Sequence, residues 1–290
     1  MVSICIPAYK SEVSLRRLLD SIIRQSYTDY EIIVSDDTPD SSLRSVIASY
    51  SGYPIKYYHN QDSLGSPANW NQAISYAKGE FIKIMHHDDW FADVFSLEKM
   101  VHAIEGSSAG MVFVQSQNIK DNQIVSTNAP SEEEIDKMKT HPFSLFFRNV
   151  IGAPSATLYK RNSIQYDHNL RWFVDVDYYS SLISMGTRID CIAEPLICIG
   201  VSGPRVTNDY KDNMNLVAKE FMYSWYKKKD AGTLPFIESY FWLYKFMKSL
   251  SPSYYGDLRS YFRRSSFFCF FIIRVVLGIR RKVFNAVSSS

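Results

Sequence analysis

The first 120 residues alternate short apolar runs with segments whose apolar positions recur at helical spacing. In "LRRLLDSIIRQ", residues 15–25, the apolar residues 15, 18, 19, 22 and 23 form one helix face. The apolar runs hold five to seven residues, a length typical of buried strands. We predict strands at 2–6, 31–35, 55–59, 81–85 and 110–116, and helices at 15–25, 42–50, 69–79 and 95–105. This alternation predicts βαβ units and a mostly parallel sheet flanked by helices, an α/β fold.

The pattern changes after residue 117. The later segments predict a hairpin at "NIKDNQIVSTN", an acidic surface loop or helix at "PSEEEIDKMKTH", a loop entering a strand at 151–161, a helix at 175–186 and an edge ribbon at "TRIDCIAEPLICIG". Residues 211–260 are helical in pattern and rich in aromatic side chains. We therefore expect an α/β catalytic domain over residues 1–210 and a helical C-terminal region over 211–290.

Composition narrows the class of protein. The chain of 290 residues is 46% hydrophobic and 21% charged, so a sizeable buried core is expected. The net charge of +2 argues against a nucleic-acid partner. The four cysteines form no CxxC pair, which favours free thiols in a reducing compartment. The start "MVSICIPAYK" lacks the basic and apolar regions of a signal peptide, so we expect a cytoplasmic protein.

Polar residues follow three of the predicted strands. The first strand runs into "PAYK" (7–10), the second into Ser35, Asp36 and Asp37, and the fourth into "HHDD" (86–89). Parallel strands place these ends on one rim, where open α/β sheets bind ligands. The "SDDTPD" stretch is compatible with a simple turn. It is also compatible with a carboxylate that accepts hydrogen bonds from a nucleobase or a ribose.

The "HHDD" stretch has three interpretations. Adjacent carboxylates repel each other unless a positive charge lies nearby, and Mg²⁺ or Mn²⁺ bound to phosphate oxygens would supply it. Zinc is disfavoured, because alternation puts His86 and His87 on opposite faces and no other His or Cys cluster completes a set of four ligands. A capped strand end remains the third interpretation.

Asp175 and Asp177 precede a helical pattern in "LRWFVDVDYY", residues 170–179. Acids stabilise helix N-termini, so either residue is explained by capping. A carboxylate at a pocket edge can also act as a general base toward a hydroxyl group. Spacing alone does not separate these two interpretations.

Three segments in this order resemble family 2 glycosyltransferases with the GT-A fold: "VSICIPAYKSEVSLRRLLDSIIRQSYTDYEIIVSDDTPD", "LGSPANWNQAISYAKGEFIKIMHHDDWF" and "LRWFVDVDYYSSL". They span about residues 1–185. The resemblance implies a Rossmann-like, nucleotide-diphospho-sugar transferase sheet. It also implies transfer from a UDP-, GDP- or dTDP-linked sugar with Mn²⁺ or Mg²⁺ as cofactor.

The resemblance also implies roles for single residues. Pro7 and Tyr9 match nucleotide-binding positions, Tyr9 packing on the base, and Asp37 matches the base-contacting acid, with Asp36 as its neighbour. His87-Asp88-Asp89 stands at the DxD-type motif, with Asp89 expected on the metal and Asp88 on the ribose or as a second metal-side contact. Asp175 matches the catalytic base of an "ED" element in which Val174 replaces Glu, with Asp177 as second choice.

Three further positions carry weaker implications. Asn71, in "NWN", could contact the donor sugar or ribose, or simply start a helix. Ser202 stands where many relatives have a histidine, and Arg205 could pair with a diphosphate. The implied chemistry is inverting transfer to a hydroxyl group of a glycan, expected to be a lipid-linked O-antigen or capsule intermediate. The alternatives are a sugar-nucleotide nucleotidyltransferase and a catalytically dead scaffold that binds nucleotide sugars.

The C-terminal stretch "YFRRSSFFCFFIIRVVLGIRRKVFN" (261–285) is apolar and basic, and no acidic residue follows Asp257. Its longest apolar run, 267–273, is far shorter than the ~20 residues of a spanning helix. On a helix most of its basic residues share one sector, which favours binding in the interface of an anionic membrane. A helix packed on the domain or an oligomer contact are the alternatives. We expect peripheral attachment at the inner face of the cytoplasmic membrane.

Overall fold

The computed structural model describes residues 1–201 and 213–249. The chain divides into two compact units, residues 1–204 and 205–290. The expectations placed on Ser202, Arg205 and the stretch 261–285 lie outside the described residues.

The first unit contains nine strands and six α-helices among its described residues. The strands are β1 (Val2–Ala8), β2 (Tyr30–Asp36), β3 (Ile55–His59), β4 (Phe81–Ile84), β5 (Trp90–Phe91), β6 (Met111–Lys120), β7 (Gln123–Asn128), β8 (Thr157–Lys160) and β9 (Ile189–Gly200). The helices are α1 (Glu12–Ile23), α2 (Leu43–Ala48), α3 (Ala68–Ser75), α4 (Ser96–Glu105), α5 (Glu132–Thr140) and α6 (Val174–Ser184). Short 3₁₀ turns occupy Pro142–Phe146 and Pro154–Ala156.

The nine strands form one sheet in the order β3-β2-β1-β4-β8-β6-β9-β5, with β7 paired to β6. The first four strands of this order are parallel, so their carboxyl ends share one rim. Strand β8 is antiparallel to both β4 and β6 and separates them. The α/β class is as predicted, but the sheet is mixed, because residues 157–160 insert between two strands that precede them in sequence.

The region 187–200, predicted as an edge ribbon, forms one long strand, β9, parallel to β6. The two-residue β5 is its other partner, at Ile197 and Cys198. The acidic segment after residue 131 is a helix whose N-terminus carries a capping box between Ser131 and Glu134, so the helix alternative was right there.

The core lies on the faces of the parallel strands. Every residue of β1 is buried, as expected of a strand covered on both faces. Helix α1 packs on this sheet through the residues that the sequence pattern selected: Leu15, Leu18, Leu19 and Ile22. The helices thus fix the strands, and the strands fix the loops at the rim.

The second unit is described through two helices, α7 (Met214–Asp230) and α8 (Phe236–Ser249). Phe221 and Phe246 stack with ring centroids 3.7 Å apart, and the Trp225 indole donates to the Ser239 carbonyl at 2.7 Å. These contacts pack the two helices together. Among the described helices, none combines the length and the apolar character needed to span a bilayer.

Candidate active site

The rim at the carboxyl ends of β1, β2 and β4 gathers the predicted ligand-binding loops. Ala8 pairs with Asp36 in the ladder, and the Asp37 amide donates to the Ala8 carbonyl at 2.9 Å. On the other side of β1, the Met85 amide donates to the Cys5 carbonyl at 2.9 Å. The loops after the three strands therefore begin side by side.

Tyr9 is exposed at this rim, with 45% of its surface accessible. The Lys10 ammonium lies 4.8 Å from the centroid of its ring, and the Lys10 amide donates to Thr38 Oγ1 at 2.7 Å. Pro7 is buried in β1, where its backbone accepts a hydrogen bond from His87. Tyr9 thus offers an accessible ring, whereas Pro7 contributes backbone.

Asp36 and Asp37 are both buried and bonded to protein. Asp36 accepts from the Tyr57 hydroxyl at 2.6 Å and from the Thr38 amide at 2.8 Å. It therefore fixes the turn after β2.

Asp37 accepts four hydrogen bonds from the loop 60–65. Its Oδ1 accepts from Asn60 at 2.7 Å and from the Leu64 amide at 3.1 Å, and its Oδ2 accepts from the Gly65 amide at 2.8 Å and from Ser63 at 3.4 Å. A carboxylate has about four acceptor positions, so this loop occupies them all. Asp37 holds the loop to the rim.

The two aspartates after β4 differ in environment. Asp88 is partly exposed. Asp89 is 2% exposed, and its Oδ1 accepts from the Gly200 amide at 3.2 Å. Asp89 thus ties its loop to the end of β9, while Asp88 remains accessible at the rim.

A buried lysine lies behind this loop. The Lys83 ammonium, in β4, donates to the Ser155 carbonyl. Burial lowers the pKa of Lys83 to about 7, and the charge of Asp89 opposes that shift. Lys83 and Asp89 are therefore two buried groups beneath the loop, and the Asp89 charge favours the protonated form of Lys83.

Arg17 of α1 and Gly200 of β9 also contact the loop after β4. The Arg17 guanidinium stacks on the Trp90 ring at 3.6 Å and donates to the Asp88 carbonyl at 2.8 Å. A Cβ at Gly200 would lie 2.4 Å from that carbonyl oxygen, which real side chains do not tolerate. The position of Asp88 thus depends on glycine at 200.

The two histidines have different surroundings. The His86 amide donates to Ser155 Oγ at 3.0 Å, and its ring lies 4.7 Å from Trp70 and 3.9 Å from Asp89 Oδ2. Burial lowers the pKa of His87, so its ring is neutral at pH 7. His86 belongs to an aromatic wall, and His87 connects β4 to β1.

Asp175 lies in the first turn of α6 and is partly exposed. Its Oδ2 accepts from Asn149 Nδ2 at 2.7 Å and its Oδ1 from the Val176 amide at 2.9 Å. Burial raises the pKa of Asp175 to about 6, although these hydrogen bonds act in the opposite direction. This carboxylate changes charge close to neutral pH.

Asp177 and Asn71 are placed differently from Asp175. Asp177 is 2% exposed, and its backbone accepts from Ser181 inside α6. The Asn71 amide is bonded at both ends to the backbone of Tyr166, at 2.8 and 2.9 Å. Asn71 therefore fastens α3 to a loop, and a contact of its side chain with the donor sugar stays a prediction.

An aromatic wall joins the loop after β4 to the region of Asp175. Trp70 contacts His86 on one side and Tyr166 on the other, the latter at 5.2 Å. Tyr166 stacks on Tyr178 of α6 at 4.1 Å, and burial raises the pKa of its phenol, with a smaller contribution from the charge of Asp175. The two acidic sites predicted from separate motifs thus border one region.

The family model for glycosyl transferase family 2 matches residues 3–166, more than half of the chain. The chain belongs to glycosyl transferase family 2. The matched residues contain the rim loops and end at Tyr166, before α6 begins.

Two curated relatives are named as enzymes that act on lipid-linked saccharides. A UDP-Glc:alpha-D-GlcNAc-diphosphoundecaprenol beta-1,3-glucosyltransferase of Escherichia coli is 29% identical over 126 residues, covering 43% of this chain and 49% of that protein. A GalNAc(5)-diNAcBac-PP-undecaprenol beta-1,3-glucosyltransferase of Campylobacter jejuni is 34% identical over 91 residues, covering 30% of this chain and 29% of that protein. The matched part of the chain thus covers about half the length of the first relative and less than a third of the length of the second.

Solved structures support the fold. Staphylococcus aureus TarS 1–349 in complex with UDP-GlcNAc has a TM-score of 0.60 and 17% identity, covering 83% of this chain and 72% of that one. The UDP complex of the same protein has a TM-score of 0.55 and 20% identity, covering 76% of this chain and 64% of that one. The GT-A fold of the family 2 chain, predicted from its motifs, is confirmed.

The fit of a divalent cation rests on the loop after β4. Among residues 1–201 and 213–249, no three His, Cys, Asp or Glu side chains form a metal-ligand cluster. Mg²⁺ and Mn²⁺ often take only one or two carboxylates together with substrate phosphates. Asp88, which is partly exposed, fits that mode, whereas Asp89 is already buried against Gly200.

Several residues of the site lie outside the motifs recognised in the sequence. Lys83 had one signal in the sequence, a lysine inside the otherwise apolar strand "FIKIM" just before the acids. Asn149, Ser155 and Arg17 lie 26 or more residues from the groups they contact, so spacing along the chain could not indicate them.

Proposed function

We propose that the chain is an inverting glycosyltransferase that moves a sugar from a nucleotide-diphosphate donor to a hydroxyl group of a glycan. The observation that supports this most is Asp175, a partly exposed carboxylate at the start of α6 whose pKa burial raises to about 6. A general base works best with a pKa near the working pH, because it is then ionised and still able to take a proton. Asp175 is the proposed base.

In the proposed step the acceptor hydroxyl gives its proton to the Asp175 carboxylate. The acceptor oxygen attacks the anomeric carbon opposite the diphosphate, so one C–O bond forms and the C–O bond to the diphosphate breaks. The electron pair of the broken bond leaves on the diphosphate oxygen. One displacement inverts the anomeric centre and needs no enzyme nucleophile.

The donor would bind over the rim. The exposed Tyr9 ring is suited to pack on a nucleobase. We assign Asp88 to Mn²⁺ or Mg²⁺ and the diphosphate, and Asp89 to holding the loop, which reverses the order inferred from the sequence. The reason is burial: Asp89 is enclosed beside Lys83 and Gly200. A bound cation would neutralise the negative charge that develops on the leaving diphosphate.

Asp37 remains the proposed contact to the nucleobase, under one condition. Its four hydrogen bonds to residues 60–65 occupy its acceptor positions. An N–H group of the nucleobase can reach the carboxylate only if one of these four hydrogen bonds breaks. The Ser63 hydroxyl, at 3.4 Å, is the longest of the four and the first we expect to yield.

The named relatives support a donor and an acceptor class. Both are glucosyltransferases with undecaprenol-linked acceptors, and one is named for UDP-Glc. We propose UDP-glucose as the first donor to test and a lipid-linked O-antigen or capsule intermediate as the acceptor. Work on a lipid-linked substrate accords with the proposed attachment of residues 261–285 to the inner membrane face.

Thermal unfolding with a donor panel tests the proposal. UDP-glucose, UDP-GlcNAc, GDP-mannose and dTDP-glucose are each added with and without Mn²⁺. A ligand at 100 times its Kd stabilises the folded state by about 2.7 kcal/mol, so the true donor raises Tm by several degrees. We expect UDP-glucose to do so, and only with Mn²⁺.

Two other outcomes would count against the proposal. If no nucleotide sugar raises Tm, the donor site is assigned wrongly. If a donor binds but is never hydrolysed or transferred, the catalytically dead scaffold is the better description. Membership of glycosyl transferase family 2 favours transfer over nucleotidyl transfer.

A further inference from the structure

The side chain of Asn149 sits between a tight turn and the carboxylate of Asp175. Its Oδ1 accepts from the Gly152 amide at 2.9 Å, and its Nδ2 donates to the Gly152 carbonyl at 3.1 Å and to Asp175 Oδ2 at 2.7 Å. Turning the amide over would set its oxygen against the carboxylate and its NH₂ against the Gly152 N–H. The orientation is therefore fixed, and an N–H points at Asp175.

The turn that carries Asn149 is held from several sides. Gly152 has φ +92°, a conformation that L side chains rarely adopt. Asn128 Nδ2 donates to the Val150 carbonyl at 3.1 Å, and the Tyr179 hydroxyl donates to the Gly152 carbonyl at 3.3 Å. Contacts from β7 and α6 thus fix the turn on which Asn149 depends.

Within residues 1–201 and 213–249, the ionisable side chains beside the Asp175 carboxylate include two phenols. Tyr166 and Tyr179 lie beside it, and burial holds the pKa of both phenols well above the usual range. Asp177 is the other acid in the first turn of α6. Among the described residues, Asn149 and the Val176 amide donate hydrogen bonds to the carboxylate, one to each oxygen. Each oxygen keeps one further acceptor position, where an acceptor hydroxyl can bind.

We propose that Asn149 is a positioning residue that orients the Asp175 carboxylate and keeps it ionised for proton transfer from the acceptor. This inference rests on the proposed function, in which Asp175 is the base. Donation of an N–H to a carboxylate favours its charged form, so Asn149 offsets part of the effect of burial. Without it, the carboxylate would hold its proton to higher pH and turn more freely.

The test measures the pKa of Asp175 directly. The full chain is labelled with ¹³C at the aspartate carboxyl carbons and titrated by NMR, and the resonance missing in Asp175→Asn identifies the group. We expect Asn149→Ala to raise this pKa by about one unit, because one charge-assisted hydrogen bond is lost. Asn149→Asp keeps the acceptor for the Gly152 amide but removes the donor and adds a like charge, so a larger upward shift is expected.

Asn128→Ala is the matched control. It also removes an asparagine donor to this turn, but no contact of Asn128 with Asp175 exists among the hydrogen bonds of the described chain. We expect it to leave the pKa of Asp175 unchanged. An equal shift in Asn149→Ala and Asn128→Ala would mean that Asn149 acts only by folding the turn, and no shift in either Asn149 variant would overturn the proposal. Should Asn149→Ala fail to fold, Asn149→Asp carries the test.

The kinetics of sugar transfer test the role of Asn149 separately from the proposed role of Asp175 as the base. With UDP-glucose and a lipid-linked acceptor, kcat/KM of Asn149→Ala should fall about fivefold at pH 6 and recover toward the wild-type value at pH 8.5. If Asp175→Asn transfers normally, the base assignment fails whatever Asn149 does. If Asp175→Asn is inactive but the profile of Asn149→Ala does not move, only the role of Asn149 fails.

Discussion

At the scale of single residues, Asp88 and Asp89 are neighbours in sequence with different surroundings. Asp89 is buried beside Lys83 and accepts from the Gly200 amide, while Asp88 is partly exposed. The sequence could place both at a strand end, but it could not say which one is buried. That depends on β9, whose end lies 111 residues away along the chain.

Substituting each aspartate by asparagine separates the two roles. We expect Asp89→Asn to lower the free energy of unfolding by about 1 kcal/mol, because the Gly200 amide then donates to a neutral oxygen instead of a carboxylate. Asp88→Asn should keep wild-type stability and lose the Mn²⁺-dependent rise in Tm with UDP-glucose. Urea unfolding at pH 7 and thermal shift measure the two effects. A stable Asp89→Asn variant that has lost only metal-dependent binding would restore the order inferred from the sequence.

The protonation of Asp175 should set the pH dependence of sugar transfer. Because its pKa is about 6, we expect kcat/KM to fall tenfold per pH unit below about 6 as the carboxylate takes up a proton. Asp175→Asn should reduce transfer by a factor of about 10²–10⁴ at pH 7.5 while donor binding is kept. Asp177→Asn serves as the control on the same helix. Loss of donor binding in Asp175→Asn would point to a structural cap instead of a base.

At the scale of elements, the loop after β4 is held in place by other parts of the chain. Helix α1 supplies Arg17 to the Asp88 carbonyl, and the end of β9 supplies Gly200. Each contact spans more than 70 residues of sequence. The loop is therefore positioned by the assembled sheet.

Replacing Gly200 by alanine tests this dependence. The new Cβ would lie 2.4 Å from the Asp88 carbonyl oxygen and 3.1 Å from Arg17 Nη2, so the loop must shift. We expect a fall in stability of roughly 1–3 kcal/mol and at least a tenfold weaker UDP-glucose affinity with Mn²⁺. Gly52→Ala is the matched control, because its Cβ meets nothing within 4 Å. Equal affinities in the two variants would show that the loop does not need this packing.

The elements themselves were largely predictable from the sequence, because buried strands and amphipathic helices have distinct periods. The five predicted strands and four predicted helices of the first 116 residues all form. The strand order and the antiparallel position of β8 could not be predicted from the sequence. A four-residue strand such as Thr157–Lys160 carries no signal that identifies the strands it pairs with. For the same reason the motifs gave Asp175 but not Asn149, which reaches it only after the chain has folded.

At the scale of the whole molecule, membrane attachment is a prediction for the stretch 261–285. Its basic side chains should each contribute about 1 kcal/mol near an anionic surface, and its apolar residues should bury in the interface. We expect the full chain to sediment with phosphatidylglycerol vesicles and the chain ending at residue 260 to stay in solution.

Neutral phosphatidylcholine vesicles and a series in rising salt are the controls for this binding, because charge attraction is screened. Both chains should keep the thermal shift with UDP-glucose, since the rim lies in the first unit. Vesicle binding that survives the deletion would place the attachment elsewhere in the chain.

Strand β8 has a consequence for the order of folding. Its four residues are the only described ladder between the half-sheet of β3, β2, β1 and β4 and the half that contains β6 and β9. During synthesis the ribosome releases β4 and β6 long before it releases Thr157, so each half presents an open edge until β8 arrives. Open edges recruit other chains. Nascent fragments that end before residue 160 are therefore the species most exposed to aggregation, and the ones that chaperones must protect.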